Sequence, residues 1–227
     1  YGGKIYGNSC SYGNGFLRTK TLNMYGGTVS NNKAEKAGGG MYINNKSTLN
    51  LYGGTFTGNE NVSLGGAVQI QGGTTFNMYG GEIKGLDTVK RYAAGSANTL
   101  HSAPNVTVNG GAVSMTGGTF NMYGGKLSGK ANNGGAVYIK GSNAAFAMYG
   151  GSIEESSAAG GKGGSVYVEG GSFSMLHHDH CAAPRIVGGN ASEGGNLDIR
   201  SGGTFDMQTG TVSGGTAASN NFGGNLY

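Results

Sequence analysis

One phrase limits what this chain can fold into. Asn23-Met24-Tyr25-Gly26-Gly27 returns as Asn50-Leu51-Tyr52-Gly53-Gly54, Asn77-Met78-Tyr79-Gly80-Gly81, Asn121-Met122-Tyr123-Gly124-Gly125 and Ala147-Met148-Tyr149-Gly150-Gly151. The first three copies start 27 residues apart. A fixed short period marks a stacked-repeat architecture, in which each unit buries its apolar face only against its neighbours. Repeats report a scaffold, so the same feature says little about chemistry.

Each repeat divides into three short apolar pieces separated by glycine. In Thr75-Phe76-Asn77-Met78-Tyr79 and Thr119-Phe120-Asn121-Met122-Tyr123, Phe and Met alternate with polar residues, the period-2 pattern of a half-buried strand. A second piece follows the glycine pair with one central apolar residue: Val29, Phe56, Ile83, Leu127, Ile153 or Val212. The third reads Met41-Tyr42-Ile43, Val68-Gln69-Ile70, Val137-Tyr138-Ile139, Val166-Tyr167-Val168 and Leu197-Asp198-Ile199. No stretch keeps helical spacing over a helix's length.

These pieces predict an all-β parallel solenoid with three short strands per rung and about eight rungs of about 27 residues, stacked about 4.8 Å apart. The 50 glycines suit corners that need positive φ or close backbone approach. A disordered Gly-rich polymer would lack the persistent Phe/Met and Val/Ile register. Two inward columns are expected: Leu22, Leu49, Phe76, Phe120, Phe146, Phe173 and Phe205, beside Met24, Leu51, Met78, Met122, Met148, Met175 and Met207.

Residues 1–227 read as one continuous solenoid with insertions at about 85–109 and 176–185. The chain opens mid-phrase at Tyr1-Gly2-Gly3 and closes at Gly223-Gly224-Asn225-Leu226-Tyr227, and neither end resembles a capping repeat. The expectation is a segment of a longer chain, or ends that dock onto other copies. No apolar run reaches the length of a membrane-spanning helix. A net charge of +4 with 11% charged residues, scattered singly, argues against a nucleic-acid groove. Cys10 and Cys181 lie several rungs apart, beyond disulfide reach within one chain. Low charge with abundant Asn, Ser, Thr and Gly fits an extracellular protein. The Asn-X-Ser/Thr sequons at Asn45, Asn61, Asn105 and Asn190 are expected by chance in so Asn- and Ser-rich a chain.

Gly65-Gly66-Ala67-Val68, Gly110-Gly111-Ala112-Val113 and Gly134-Gly135-Ala136-Val137 carry a resemblance. Together with Phe56-Thr57-Gly58-Asn59, and looser copies at Ile5…Asn8, Val29…Asn32 and Val187…Asn190, they resemble the Gly-Gly-Ala-Ile/Val and Phe-x-x-Asn motifs of polymorphic outer-membrane proteins. The chain is also similar to long Gly-rich surface repeats of gut-type bacteria. The resemblance implies a right-handed parallel β-helix and a surface-displayed bacterial adhesin. The Asn-Met-Tyr-Gly-Gly phrase is an addition that the family pattern does not require.

With Phe and Met inward, Tyr25, Tyr52, Tyr79, Tyr123 and Tyr149 stack into an outward aromatic row, with Tyr1 as a possible start and Asn23, Asn50, Asn77 and Asn121 beside it. Such a row is either a binding strip for glycans or another rod, or a set of cross-strand pairs that stabilise a sheet face. The Thr48, Thr75, Thr119, Ser172 and Thr204 row is broken by Ala145, and the column beside it is Asn, which argues against an ice-binding face.

Loops on a rigid scaffold concentrate function. The second insertion holds Leu176-His177-His178-Asp179-His180-Cys181, in which His177, Asp179, His180 and Cys181 are candidate ligands for a divalent metal. A solvated polar loop is the commoner outcome. No other cofactor is expected.

Catalysis has weaker support. Glycoside hydrolysis needs two facing carboxylates, but Glu154 and Glu155 are consecutive, and Glu60, Glu82 and Asp87 lie in separate repeats or at a corner. Lys90-Arg91 is the nearest basic pair for lyase chemistry, and no histidine has a recognisable nucleophile beside it. The sequence therefore reads as a non-enzymatic extracellular structural or adhesive rod, stalk or self-associating filament. Its expected partners are other copies of itself and a glycan or host surface. The alternative is a β-helix that binds or degrades polysaccharide.

Overall fold

A computed structural model describes residues 2–10, 15–18, 20–36, 38–61, 65–87, 107–200, 202–218 and 223–227. It is a right-handed parallel β-solenoid of about seven turns, with no helix among the described residues. Seven turns replace the eight implied by spacing alone, because the insertions take up chain without adding rungs. The backbone ladder runs to Leu86, whose carbonyl accepts from Lys130 N–H, and resumes at Val108, whose carbonyl accepts from Asn132 N–H. Most of the first insertion, with His101, Pro104, Asn105 and Lys90-Arg91, lies outside the described residues, as does Tyr1.

Three long sheets wrap one core. The Phe sheet has seven strands, Thr21–Met24, Thr48–Leu51, Thr75–Met78, Gly118–Met122, Ala144–Met148, Gly171–Met175 and Gly203–Met207. The second sheet has eight short strands, from Lys4–Tyr6 to Thr211–Ser213, and the third has seven, from Gly15–Arg18 to Leu197–Ile199. A fourth short strand joins rungs at both ends of the stack. Three such strands are Ser9–Cys10, Lys33–Ala34 and Glu60–Asn61, and three are Ser157–Lys162, Asn190–Glu193 and Thr216–Ala217. Sequence reading merged them with the corners.

Pairing is parallel and in register throughout the Phe sheet. Leu22, Leu49, Phe76, Phe120, Phe146, Phe173 and Phe205 form one inward column, and Met24 through Met207 the next. Phe76, Phe120 and Phe146 are buried, and their rings stack 4.6 Å apart at 4° and 8°. The second sheet contributes Ile5, Val29, Phe56, Ile83, Leu127, Ile153, Ile186 and Val212. Sequence reading missed Ile186 because the insertion precedes it.

The third sheet departs from simple alternation. Its middle residues Tyr42, Gln69, Ser114, Tyr138, Tyr167 and Asp198 are buried, although the flanking apolar residues take the inward side. The Gly-Gly arms cover this outer row. A Cβ on Gly110 would lie 3.1 Å from the Tyr138 Cβ, and one on Gly194 would lie 3.0 Å from that of Asp198. Both glycines also sit at left-handed φ, 73° and 55°. Only glycine combines that conformation with that approach.

The Phe-x-x-Asn corner packs against the glycine run Gly38-Gly39-Gly40, in which Gly40 stands where the Gly-Gly-Ala copies carry alanine. Asn32 and Asn59 are fully buried at the corner after the second strand. Asn59 Nδ2 donates to the Val29 carbonyl (2.8 Å), and Asn32 Nδ2 donates to Asn59 Oδ1 (3.0 Å). A Cβ on Gly40 would lie 3.0 Å from the Asn59 amide. In the last rungs the corner residue is Gly189 or Gly215, and the amide comes from across the turn. Asn196 Oδ1 accepts from Gly189 N–H (2.7 Å) and Asn225 Oδ1 from Gly215 N–H (2.9 Å). The looser Val187…Asn190 copy is therefore one residue out of register. Ile186 points inward, Gly189 takes the corner and Asn190 is exposed.

Candidate functional site

The tyrosine row follows directly from the stacking. Each Tyr comes after the last inward Met or Leu of a Phe-sheet strand, and its N–H donates to the rung before. Tyr52 donates to the Met24 carbonyl, Tyr79 to Leu51, Tyr123 to Met78 and Tyr149 to Met122, each at 2.8 Å. The rings then repeat at the rung spacing. Tyr25–Tyr52, Tyr52–Tyr79, Tyr79–Tyr123 and Tyr123–Tyr149 stack at 4.8, 4.9, 5.0 and 4.9 Å, each at 7°. Tyr25, Tyr52 and Tyr79 are 69%, 43% and 44% exposed, and Tyr123 and Tyr149 are half-buried.

An amide row runs alongside. Asn50 Nδ2 donates to Asn23 Oδ1 (2.8 Å), Asn77 to Asn50 (2.9 Å) and Asn121 to Asn77 (2.9 Å). Asn and Tyr lie two residues apart on one strand, so they share its outward face. The result is a ruled surface of phenol edges beside a hydrogen-bonded amide ladder.

The second insertion closes one end of this surface. Leu176 occupies the next Tyr position, its N–H donating to the Met148 carbonyl (2.9 Å). The chain leaves the ladder there and re-enters at Arg185. It folds back so that His178 packs edge-on against Tyr123 and Tyr149, with centroids 5.5 and 5.8 Å apart at 74° and 71°. Tyr79, Tyr123, His178, His180 and Cys181 line a cleft of about 470 Å³. Burial, reinforced by Tyr149, Tyr79 and Cys181, pushes the Tyr123 phenol up, so it stays protonated as a hydroxyl donor.

The structure brings all five predicted tyrosines together. It divides the four predicted metal ligands. His177 Nε2 pairs with Asp179 Oδ1 at 3.1 Å in the open, whereas Cys181 Sγ faces His178 Nδ1 at 3.4 Å. Among the described residues no three His, Cys, Asp or Glu side chains form a ready-made metal-ligand group. Sequence reasoning passed over His178. The available signal was that Leu176 holds a Tyr position, so the loop leaves from the row itself.

A second polar cluster caps the outer row of the third sheet. Arg200 Nη2 donates to Asp198 Oδ2 (2.8 Å) and to Glu193, and its guanidinium lies 4.7 Å over the Tyr227 ring. Tyr138 Oη donates to Glu169, which also pairs with Lys140 at 3.5 Å. Burial raises the Asp198 carboxyl above its ordinary range against the pull of Arg200. Glu154 and Glu155 both pair with Lys126, at 3.4 and 3.2 Å, and Glu60 pairs with Lys33 at 3.6 Å. No helix among the described residues is long and apolar enough to cross a membrane. No protein-family model, curated protein or solved structure matches the chain.

Proposed function

We propose that this chain is a non-catalytic, extracellular structural and adhesive rod of a bacterial surface, with the Tyr–Asn face as its contact strip. One observation carries the reading. The two inward apolar columns, Leu22 to Phe205 and Met24 to Met207, run through every Phe-sheet rung, whereas the Tyr row stops at Tyr149 and gives way to Leu176 and Gln208. The core therefore does not need the row. A device for stabilising the stack would extend along all of it, while a contact surface need only be as long as its partner. Phenol edges and amides at a regular spacing suit an extended, regular polymer such as a polysaccharide chain, which offers hydroxyls and flat apolar sugar faces. The resemblance to polymorphic outer-membrane proteins supports surface display.

The Arg200 cluster favours binding over hydrolysis. Arg200 stands between Glu193 and Asp198 and pairs with both, so the two carboxylates are engaged with the guanidinium and do not face each other across a gap that a sugar ring could enter. Affinity electrophoresis against a polysaccharide panel tests the reading, with wild type compared to the Tyr52→Ala/Tyr79→Ala double variant. Retardation lost in the variant supports it. Retardation unchanged in the variant, product release from any polysaccharide, or no retardation by any member of the panel overturns it.

A further inference from the structure

The loop at the end of the row holds a second chemistry, independent of the adhesive reading. In a tetrahedral zinc site with sulfur at about 2.3 Å and imidazole nitrogen at about 2.0–2.1 Å, the two ligand atoms lie roughly 3.5 Å apart. Cys181 Sγ and His178 Nδ1 are 3.4 Å apart, already the edge of such a tetrahedron. The His180 ring centroid lies 5.9 Å from that of His178. Two imidazoles on one tetrahedral zinc sit roughly 5 Å apart, a gap closed by rotating the exposed His180 side chain. All three residues line the same cleft.

We propose that His178, His180 and Cys181 bind a zinc ion, with the fourth position open to the cleft beside Tyr123. Two donors are pre-placed and the third swings in. Thiolate with imidazole selects zinc over magnesium or calcium, which prefer oxygen ligands. On binding, the Cys181 thiol releases its proton to solvent, and sulfur and the two imidazoles donate lone pairs to the metal with no change of oxidation state. His178 Nδ1 exchanges a long hydrogen bond from His180 N–H (3.3 Å) for the coordinate bond. The support around the pair is rigid. His178 is held edge-on against Tyr123 and Tyr149, and a Cβ on Gly150 would come within 3.0 Å of the Cys181 Cβ. His177 and Asp179 pair with each other outside the site.

The test is titration of the full 227-residue chain with Co²⁺ followed by absorbance, and with Zn²⁺ in competition with a chromophoric chelator. One equivalent of Co²⁺ should give a near-ultraviolet thiolate-to-cobalt band and the visible bands of tetrahedral cobalt. Cys181→Ser should abolish the thiolate band while keeping the circular dichroism spectrum. His178→Ala and His180→Ala should each weaken Zn²⁺ binding at least tenfold, since even outer-shell partners cost that much. His177→Ala, Asp179→Asn and Cys10→Ser should leave it unchanged. The proposal is overturned by cobalt binding without a thiolate band or by wild-type affinity in the Cys181 or His178 variant. Loss that tracks His177 or Asp179 instead, or no binding at millimolar metal, also overturns it.

Discussion

Truncating Phe120 to Ala gives the most direct test of how this solenoid is held together. The ring is fully buried and sandwiched between Phe76 and Phe146, 4.6 Å away on both faces. Removing a buried Phe costs about 3–5 kcal/mol in transfer and cavity terms. Each lost ring–ring contact adds about 0.5–1.5 kcal/mol beyond area burial. The cavity cannot collapse along the axis, because the ladders of the rungs above and below fix the spacing at about 4.8 Å. The cost should therefore fall at or above the upper end of the transfer-plus-cavity range. Thr119, one residue away and half-exposed on the outer face, should cost less than about 0.5 kcal/mol as Thr119→Ala. In a nearest-neighbour stack the damage is also local. Guanidinium denaturation followed by circular dichroism should show a broadened or split transition for Phe120→Ala. Hydrogen exchange by mass spectrometry should show lost protection concentrated in the rungs of Phe76 and Phe146. A cost below about 1 kcal/mol, equal to that of Thr119→Ala, would mean the column is not what holds the rungs. Protection lost evenly along the chain would refute the nearest-neighbour argument.

Other positions separate the remaining claims. Gly135→Ala should lower the melting temperature by several degrees or prevent folding, because its Cβ would meet the Gly164 carbonyl oxygen at 2.1 Å and the Ser157 nitrogen at 2.5 Å. Gly72→Ala, with nothing within 4 Å, should be tolerated, and equal effects would sink the close-approach argument. Tyr79→Ala should remove two stacked contacts at about 0.2–1 kcal/mol each and reduce the near-ultraviolet circular dichroism of coupled tyrosines. An unchanged spectrum would mean the row is not stacked in solution. Asp198 binds its proton more tightly folded than unfolded, because burial raises its pKa. Its contribution is therefore favourable at low pH and is lost as pH rises through the raised value. Wild type should gain stability relative to Asp198→Asn as pH falls from neutral toward the ordinary carboxylate range, and a flat difference across that window would count against the burial effect.

The inward columns of the Phe sheet were legible residue by residue because a parallel in-register stack turns sequence period into spatial column. Where the period held, from Thr21 to Met78 and from Gly118 to Met175, Phe and Met positions gave the core directly. Ile186 was lost for the same reason, since six extra residues relative to Met148–Ser152 shift the frame between Met175 and Arg185. The buried outer row of the third sheet was not legible. Tyr138 and Asp198 look solvent-facing by alternation, and the glycine arms that cover them leave no pattern beyond glycine itself. The exchange of Asn59 for Asn196 as the corner amide was equally hidden, because the two residues sit on opposite sides of the Gly-Gly pair in sequence and fill equivalent space in the fold.

The candidate site divides along the same line. Tyr25 to Tyr149 are readable because they belong to columns. The Cys181–His178 pair is unreadable because a loop's contacts depend on its length and turns, which no period encodes. Cys181 N–H donates to the His178 carbonyl at 3.1 Å, a tight turn that sets thiol and imidazole side by side. His178 at the head of that turn packs edge-on against Tyr123 and Tyr149, so the readable element braces the unreadable one. It follows that losing the anchor rings should loosen the loop without disturbing the core columns. Tyr123→Ala/Tyr149→Ala should speed alkylation of the half-buried Cys181 while leaving the denaturation midpoint close to that of Tyr52→Ala/Tyr79→Ala, which removes rings that His178 does not touch. Equal alkylation rates in the two double variants would show that the loop holds its shape without the row.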